Sequence, residues 1–275
     1  MLKNYIKIAF RNLWKNKGFS ALNIFGLAIG VTCASLILLW VEDEMSFDTV
    51  VADQERVYSV PTNQTYEGQV RTFFQATPGP LAAALKAEIP EITKAARLRN
   101  ADFLFSVNTS SITSTGAFAD DDIFDLFDLK FIEGNAGDAF KLQEGIVITK
   151  AVAQILFENP TDLLGKVIRV NQQDNFKITG VVENLPENTT YSFNWLVPFK
   201  NFTKDKPWTQ EYGSKFTDTF VMLAPGADFN TVNAKVKQIL PAKTDDADTQ
   251  AILHAAKNWH LRSDFKDGQI VGGRI

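Results

Sequence analysis

Two histidines are the residues in this sequence best suited to proton transfer near neutral pH. They are His254 and His260, six residues apart near the C-terminus, and imidazole is the side chain whose ordinary pKa lies closest to neutrality. No serine, cysteine or carboxylate stands near them in a recognised catalytic pattern. We therefore predict that both histidines are ordinary surface or helix residues and that neither is a catalytic base.

Two groups of aspartates could bind a cation. Residues 120–122 precede the apolar residues Ile123, Phe124, Leu126 and Phe127, and residues 245, 246 and 248 follow Pro241. A calcium loop alternates its acidic ligands and carries a glycine at the turn, a pattern that neither group has. The first group is typical of acids before the positively polarised first turn of a short helix. The second group indicates a solvated linker around Pro241, so we predict no metal site.

The sequence also lacks the motifs of the common enzyme classes. Cys33 is the only cysteine, which excludes an internal disulfide and a structural zinc site of the usual kind. The phosphate loop GxxxxGK[ST] and the motifs GxGxxG, HExxH and GxSxG are absent. We predict no catalytic, cofactor-binding or metal-ligating residue and no cofactor. Any ATPase activity must come from another chain.

Charge is distributed unevenly along the chain. The net charge is −4 and the pI is near 5.3, which argues against a nucleic-acid partner because such proteins present a basic surface to phosphate. The first 18 residues nevertheless carry five basic side chains and no acid, whereas 23 basic residues face 32 acidic ones in the rest. This asymmetry predicts a special role for the N-terminus.

An apolar run of 23 residues, 19–41, follows the basic segment, and Cys33 provides its only ionisable group. As a helix it reaches roughly 34 Å, enough to cross a hydrocarbon core of about 30 Å. A cleaved signal peptide has a shorter apolar run, a lipoprotein signal needs other residues before its cysteine, and a buried core helix lacks such flanking charges. We predict a transmembrane helix over 19–41.

The basic residues also predict the orientation in the membrane. Lysine and arginine stay on the cytoplasmic side of a first helix, so the N-terminus should be cytoplasmic and the main domain periplasmic, in the cell inner membrane. Apolar residues in 1–18 recur at helical spacing opposite the basic ones. This pattern predicts an amphipathic helix in the membrane interface. A positively charged leader that only sets the topology is the alternative.

Beyond the membrane the pattern predicts a mixed α/β domain of the α+β class. Residues 56–61 and 69–75 are rich in strand-forming side chains around a turn at 66–68, and we expect them to pair. Thr77 is a plausible N-cap for a helix with Pro78 at its first position, which ends before Pro90. Residues 91–108 predict one or two strands.

The second half of the domain alternates strands and helices. Residues 146–149 predict a strand, 152–157 a helix, and 166–170 with 176–182 a hairpin. Farther along, residues 219–223 predict a strand. A helix over 229–240 should follow, with Asp228 near its N-cap.

The segment 145–199 carries the most specific sequence signature outside the membrane. Its order of strand, helix, "NPTDLLGK" turn, "VIRV" strand and "FKITGVVENLPEN" strand resembles the periplasmic core domain of MacB-like and FtsX-like ABC transporter permeases. The N-terminal "YIKIAFRNLWKNKGFSALNIFGLAIGV", followed by "LWVEDEMSFD" and "ERVYSV", is similar to the opening of the same family. Together these segments cover nearly the whole chain.

The resemblance implies a domain organisation and partners. Residues 1–18 would be the cytoplasmic helix and 19–41 the span. Residues 45–116 and 201–262 would form the two parts of a membrane-proximal subdomain, with 117–200 as an inserted outer subdomain. The family implies a cytoplasmic ABC ATPase, a second permease copy as dimer partner, the lipid bilayer, and a periplasmic or outer-membrane protein as partners.

The same resemblance implies a function and reveals one difference from the family. The chain would be the N-terminal part of a permease that couples ATP hydrolysis by a partner to movement of its periplasmic domain, for export or mechanotransmission. Family members continue into further membrane helices, whereas 263–275 here would only lead toward a missing second one. We expect a fragment or a truncated product. The alternative function is a single-pass anchored periplasmic sensor or binding module.

Overall fold

The structure is a computed structural model that describes residues 2–244 and 248–273. The chain divides into two compact units, Met1–Ser46 and Phe47–Ile275. The first unit consists of helices α1 (Leu2–Lys15) and α2 (Lys17–Met45), which confirms that both N-terminal segments are helical. No described residue of α2 is buried. An apolar helix without protein cover is typical of a membrane anchor.

The second unit is a mixed α/β domain, which confirms the predicted fold class. Its helices are α3 (Leu81–Glu88), α4 (Ile123–Leu126), α5 (Ala136–Ala139), α6 (Lys150–Leu156), α7 (Lys200–Thr203) and α8 (Phe229–Lys243), with 3₁₀ turns at Pro207–Gln210 and Ala256–Asn258.

The first eight strands are β1 (Val57–Ser59), β2 (Thr62–Tyr66), β3 (Gln69–Phe73), β4 (Thr77–Pro78), β5 (Ile92–Val107), β6 (Ser110–Ala119), β7 (Phe131–Gly134) and β8 (Gly145–Thr149). The others are β9 (Val167–Val170), β10 (Asp174–Val182), β11 (Trp195–Pro198), β12 (Lys215–Leu223), β13 (Thr249–Ala251), β14 (His254–Ala255), β15 (Asp264–Lys266) and β16 (Gln269–Gly272).

Part of the main sheet closes into a ring of six strands. The order is β5, β6, β11, β8, β10 and β9, and β9 returns to β5 through the pairs Phe105 with Val170 and Ser106 with Arg169. Closure removes the exposed edges of these strands. Apolar side chains fill the interior, among them Phe103, Phe105 and Trp195. The ring is therefore a packed core.

The strand β5 belongs to two parts of the domain. Its first half, Ile92–Leu98, pairs with β12, and its second half pairs with β6 and, near its end, with β9. Helices α3 and α8 pack beside the first half around a second core, which contains Leu85, Val221 and Val236. One strand of 16 residues therefore connects the ring to the part of the sheet that the helices cover.

The N-terminal end of helix α8 lies where its capping residue predicts. The Asp228 carboxylate accepts the backbone N–H of Thr231 at 2.9 Å, which confirms the predicted N-cap. Its buried positions, Val232, Val236, Ile239 and Leu240, follow helical spacing. The helix continues through Pro241 to Lys243, so the prediction of a linker around Pro241 is wrong. Asp245 and Asp246 lie outside the described residues.

The predicted pairing of residues 56–61 with residues 69–75 is wrong. β3 pairs with β2, whereas β1 pairs with β12 and β14. Pro61 separates β1 from β2, and because proline has no N–H to donate, it marks a point where the chain changes sheets.

The prediction that Thr77 is the N-cap of the next helix is also wrong. Helix α3 begins at Leu81, four residues after Thr77. The Thr77 hydroxyl donates to the carbonyl of Thr217 at 2.6 Å, and Thr77 and Pro78 form the short strand β4. The helix ends at Glu88, before Pro90 as predicted. Residues 91–108 contain the single strand β5, and β8, α6 and the β9–β10 hairpin are confirmed near their predicted bounds.

Candidate functional site

Two of the aspartates at 120–122, Asp120 and Asp122, form ion pairs with neighbouring elements. Asp120 accepts two hydrogen bonds from the Arg97 guanidinium, from Nε at 2.7 Å and from Nη2 at 2.8 Å. Asp122 pairs with Lys86 of α3 and accepts the backbone N–H of Ala95. Within residues 2–244 and 248–273 the structure has no group of three His, Cys, Asp or Glu side chains that could hold a metal ion. These carboxylates link α4 to β5 and α3.

The two histidines are not surface or helix residues, so that prediction is wrong. His254 lies in β14 and His260 in the turn after the second 3₁₀ turn, and both are buried, at 1% and 9% exposure. The His260 ring stacks on Phe47, with ring centroids 3.3 Å apart. The rings of Phe74 and Phe265 pack edge to face against His254. No local sequence pattern indicates that this histidine is buried.

A cavity of about 570 Å³ contains both histidines in its wall. Four aromatic side chains line it: Phe47, Phe74, Tyr191 and Trp259. The remaining lining residues carry hydroxyl or amide groups, and no lysine, arginine, aspartate or glutamate of the described chain lines it. The wall is therefore aromatic and polar but uncharged, with the composition expected of a binding site for a small molecule.

Six separate segments supply the wall. Phe47 opens the domain, Phe74 and Gln75 follow β3, Asn100 belongs to β5, and Thr115 to β6. The loop 189–192 and the segment 254–263 complete the wall. Because these segments are distant in sequence, only the folded sheet brings them together.

Buried hydrogen bonds hold the loop 189–192 in place. The Asp48 carboxylate, 1% exposed, accepts the backbone N–H of Thr190 at 2.6 Å and the Thr190 hydroxyl at 2.7 Å. It also accepts the Thr189 hydroxyl at 3.3 Å. Hydrogen bonds to a charged acceptor are among the stronger ones in proteins. These bonds hold Tyr191 at the cavity. Its ring packs edge to face against Trp259, with ring centroids 4.9 Å apart.

Asp218 is a buried carboxyl group behind the cavity wall. It is 7% exposed, and burial raises its pKa to about 7, a shift that the backbone N–H of Gln75 partly opposes by donating to the carboxylate. Gln75 has a φ of 54°, a left-handed conformation that is uncommon for residues other than glycine. Burial likewise raises the pKa of Tyr191, and the charge of Asp218 adds to that effect.

His254 has one satisfied and one unsatisfied ring nitrogen. Its Nε2 lies 3.0 Å from the carbonyl of Arg262, and because a carbonyl only accepts, Nε2 carries the proton. Nδ1 is then an acceptor, is buried, and has no hydrogen-bond partner among the described residues. Burial lowers the pKa of His254 to about 4, so the ring is neutral at pH 7.

The sequence patterns considered above do not predict this cavity. One usable signal was the run Thr189, Thr190, Tyr191 and Ser192, which places three hydroxyl side chains around an aromatic one directly after the hairpin. The other wall residues stand alone in ordinary strands and turns. Nothing in their local sequence distinguishes them from surface residues.

The anchor helix α2 is the second functional feature. It is the one helix in the described part of the chain long and apolar enough to cross a membrane, with 29 residues and a mean hydropathy of 2.4 in its most apolar window. The helix α1 before it exposes Phe10 and Trp14 beside Arg11 and Lys15. Such a basic, aromatic surface is suited to the membrane interface.

Comparison with known proteins identifies the family. The model of the MacB-like periplasmic core domain matches residues 20–239, which include most of α2 and most of the second unit. No curated protein sequence matches the chain.

Three solved structures share the fold. A domain of a Porphyromonas gingivalis protein described as a permease aligns with TM-score 0.61 and 20% identity, over 74% of this chain and 90% of that one. The periplasmic region of MacB from Actinobacillus actinomycetemcomitans aligns with TM-score 0.57 and 16% identity, over 77% and 94%. The extracellular domain of the noncanonic ABC-type transporter YknZ from Gram-positive bacteria aligns with TM-score 0.53 and 13% identity, over 71% and 99%.

These matches confirm the resemblance inferred from the sequence. The shared region is a domain of ABC transporter proteins of the permease type. The apolar helix α2 precedes it directly in the chain and provides its membrane anchor. The chain therefore belongs to the family of the MacB-like periplasmic core domain, carried here on an N-terminal membrane-anchoring helix.

Proposed function

We propose that this chain is the N-terminal part of an inner-membrane ABC permease subunit, with its N-terminus in the cytoplasm. The observation that carries the proposal is the family match over 20–239, which includes most of the anchor helix and most of the periplasmic domain. In this proposal a separate ATPase chain hydrolyses ATP, and the permease transmits the resulting motion to the periplasmic domain for export or mechanotransmission. The chain itself catalyses no reaction.

The strand β5 supports transmission of force within the domain. At about 3.3 Å per residue, its 16 residues extend roughly 50 Å. Hydrogen bonds to β12 hold one end, and hydrogen bonds to β6 and β9 hold the other. A displacement of β12 would therefore reach the closed ring through one continuous strand, without a flexible linker.

The proposed partners follow from this assignment. They are a cytoplasmic ABC ATPase, a second copy of the permease, the lipid bilayer, and a periplasmic or outer-membrane protein at the ring. The division into a membrane-proximal subdomain of 45–116 with 201–262 and an outer subdomain of 117–200 also belongs to the proposal.

Cysteine labelling tests the orientation. Cys33 is the only cysteine, so Cys33→Ser gives a background without thiols. We expect a membrane-impermeant maleimide added to cells with a permeabilised outer membrane to label Ala234→Cys, an exposed position of α8. The matched variant Asn16→Cys should be labelled only after the inner membrane is broken. The reverse pattern would contradict the orientation.

Co-purification tests the transport function. We expect the tagged full chain, expressed in its own organism and extracted with mild detergent, to retain an ABC ATPase, with an untagged chain as control. An alternative assignment is a single-pass anchored sensor or binding module, which the cavity beside His254 favours. Recovery of a signalling protein, or of no ATPase, would support that alternative.

A further inference from the structure

We propose that the cavity lined by Phe47, Phe74, Asn100 and Tyr191 binds a neutral, hydroxyl-rich ligand of the saccharide class. The proposal concerns the periplasmic domain alone, and it does not depend on an ATPase partner. It rests on three properties of the wall: the absence of charge, the placement of aromatic faces, and a set of hydrogen-bonding groups without partners.

The uncharged wall selects against ionic ligands. Within the described chain, no lysine, arginine, aspartate or glutamate lines the cavity. Transfer of a charged group from water into such a site without a counter-charge is unfavourable. The buried carboxyl of Asp218, which accepts the N–H of Gln75, makes the wall still less suitable for an anion. A neutral ligand has no such cost.

Aromatic faces provide the apolar contacts that a sugar ring needs. Phe74 is 37% exposed and packs edge to face against His254, with ring centroids 5.8 Å apart. Phe47 stacks on His260 at the same cavity. A pyranose presents a face of C–H groups and a rim of hydroxyls, so it can contact such rings while its hydroxyls bind polar side chains.

Four polar side chains of the wall are available to a ligand. The structure gives no hydrogen bond to the side chains of Gln75, Asn100, Ser192 or Ser263 in the described chain. Amide and hydroxyl groups both donate and accept, which matches sugar hydroxyls, since these also do both. A purely apolar ligand would leave these groups unsatisfied and lose affinity.

His254 supplies an independent observation. Its Nδ1 is a buried acceptor with no partner among residues 2–244 and 248–273, and the residue lines the cavity. Buried polar atoms in proteins are nearly always hydrogen-bonded. A ligand group that satisfies this nitrogen must be a hydrogen-bond donor such as O–H, because an anion or a carbonyl oxygen only accepts.

Ligand-observed saturation-transfer NMR on the full chain tests the proposal. The chain should be held in lipid nanodiscs, because maltoside detergents are themselves sugars. We expect maltose or N,N′-diacetylchitobiose to show saturable binding up to millimolar concentration. Glucosamine and glucuronate, which are charged, should bind at least about tenfold more weakly. Empty nanodiscs control for lipid binding.

Matched variants locate the binding. We expect Asn100→Ala and Phe74→Ala to weaken binding about five- to tenfold, in line with one lost hydrogen bond or ring contact. The controls are Asn175→Ala, another exposed strand asparagine, and Phe229→Ala, a phenylalanine of similar exposure at 39%. Both controls should bind as the wild type does. Should Phe74→Ala fail to fold, Asn100→Ala and Ser263→Ala carry the test.

Four results would overturn the proposal. The first is no saturable binding of either neutral disaccharide, and the second is unchanged affinity in Asn100→Ala together with Phe74→Ala. The third is equal binding of the charged sugars. The fourth is preferential binding of a neutral peptide such as blocked trialanine, which would assign the cavity to a peptide. None of these results bears on the ATPase partner, so the two proposals fail independently.

Discussion

Phe103 and Trp195 stack face to face inside the closed ring, with ring centroids 4.0 Å apart and planes 8° from parallel. Phe103 comes from β5 and Trp195 from β11, which lie on either side of β6. The Trp195 indole N–H donates to the carbonyl of Ser114 in β6 at 2.8 Å. One side chain therefore ties three strands of the ring together, and Trp195 is 1% exposed.

Replacement of this tryptophan should greatly reduce stability. We expect Trp195→Ala to lower the free energy of unfolding by about 3–5 kcal/mol, because it creates a cavity and leaves a buried carbonyl unpaired. Trp208, which is 41% exposed, is the matched control, and Trp208→Ala should cost about 1 kcal/mol. Denaturant unfolding of both variants measures the difference. Equal losses would contradict the central role of Trp195.

Gly116 should be indispensable next to that indole. A Cβ built on Gly116 would overlap the ring and the carbonyl of Trp195, so Gly116→Ala should displace the indole and cost about 1–3 kcal/mol. Gly213 has open space around it, and Gly213→Ala should change stability by less than about 0.5 kcal/mol. Thermal unfolding compares the two variants. A Gly116→Ala protein as stable as the wild type would show that the closed ring of six strands expands easily to hold the extra methyl group.

The buried Asp218 should make stability fall as pH rises. Its pKa is about 7 in the folded protein against an ordinary 3.8. Between these values the folded state keeps a proton that the unfolded state releases, so the free energy of unfolding decreases with rising pH and levels off above 7. Asp218→Asn cannot ionise, and it should therefore be more stable than wild type at pH 8, by on the order of 4 kcal/mol.

The measurement for Asp218 is the difference in unfolding free energy between Asp218→Asn and wild type. This difference should grow from pH 4 to pH 8. Use of a difference matters, because other groups also titrate in this range and cancel between the two proteins. A difference that stays constant over the range would show that burial does not raise the pKa of the Asp218 carboxyl.

The buried His254 should make stability fall as pH decreases, the opposite of the effect of Asp218. Its pKa is about 4 in the folded protein against an ordinary 6.5, so the unfolded state gains a proton first as pH falls. The stability that the neutral ring contributes is present above pH 6.5 and is lost toward pH 4, by on the order of 3 kcal/mol. His254→Gln keeps a donor for the Arg262 carbonyl and should lack this loss.

Unfolding curves of His254→Gln and wild type between pH 7.5 and 4.5 measure the effect. We expect the wild type to lose stability relative to the variant over this interval. Parallel pH dependence of the two proteins would contradict the buried, neutral state of His254. The slopes from His254 and Asp218 have opposite signs, so the wild-type curve alone would conceal both.

Local patterns predicted much of the fold. The N-cap at Asp228, the β9–β10 hairpin and the apolar helix around 19–41 are confirmed because capping residues, alternation and apolar length act over a few neighbouring residues. Strand partners depend on distant contacts, and for that reason the pairing of 56–61 with 69–75 is wrong. The buried positions of His254 and His260 were missed for the same reason.

The sequence by itself determined the membrane anchor, the charge asymmetry and the family, because each is a property of consecutive residues. Only the tertiary structure decided the return of β9 to β5 and the assembly of the cavity from Phe47, Phe74, Asn100 and His254. These residues are up to about two hundred positions apart. Their proximity comes from sheet register and burial, which are cooperative properties of the whole domain.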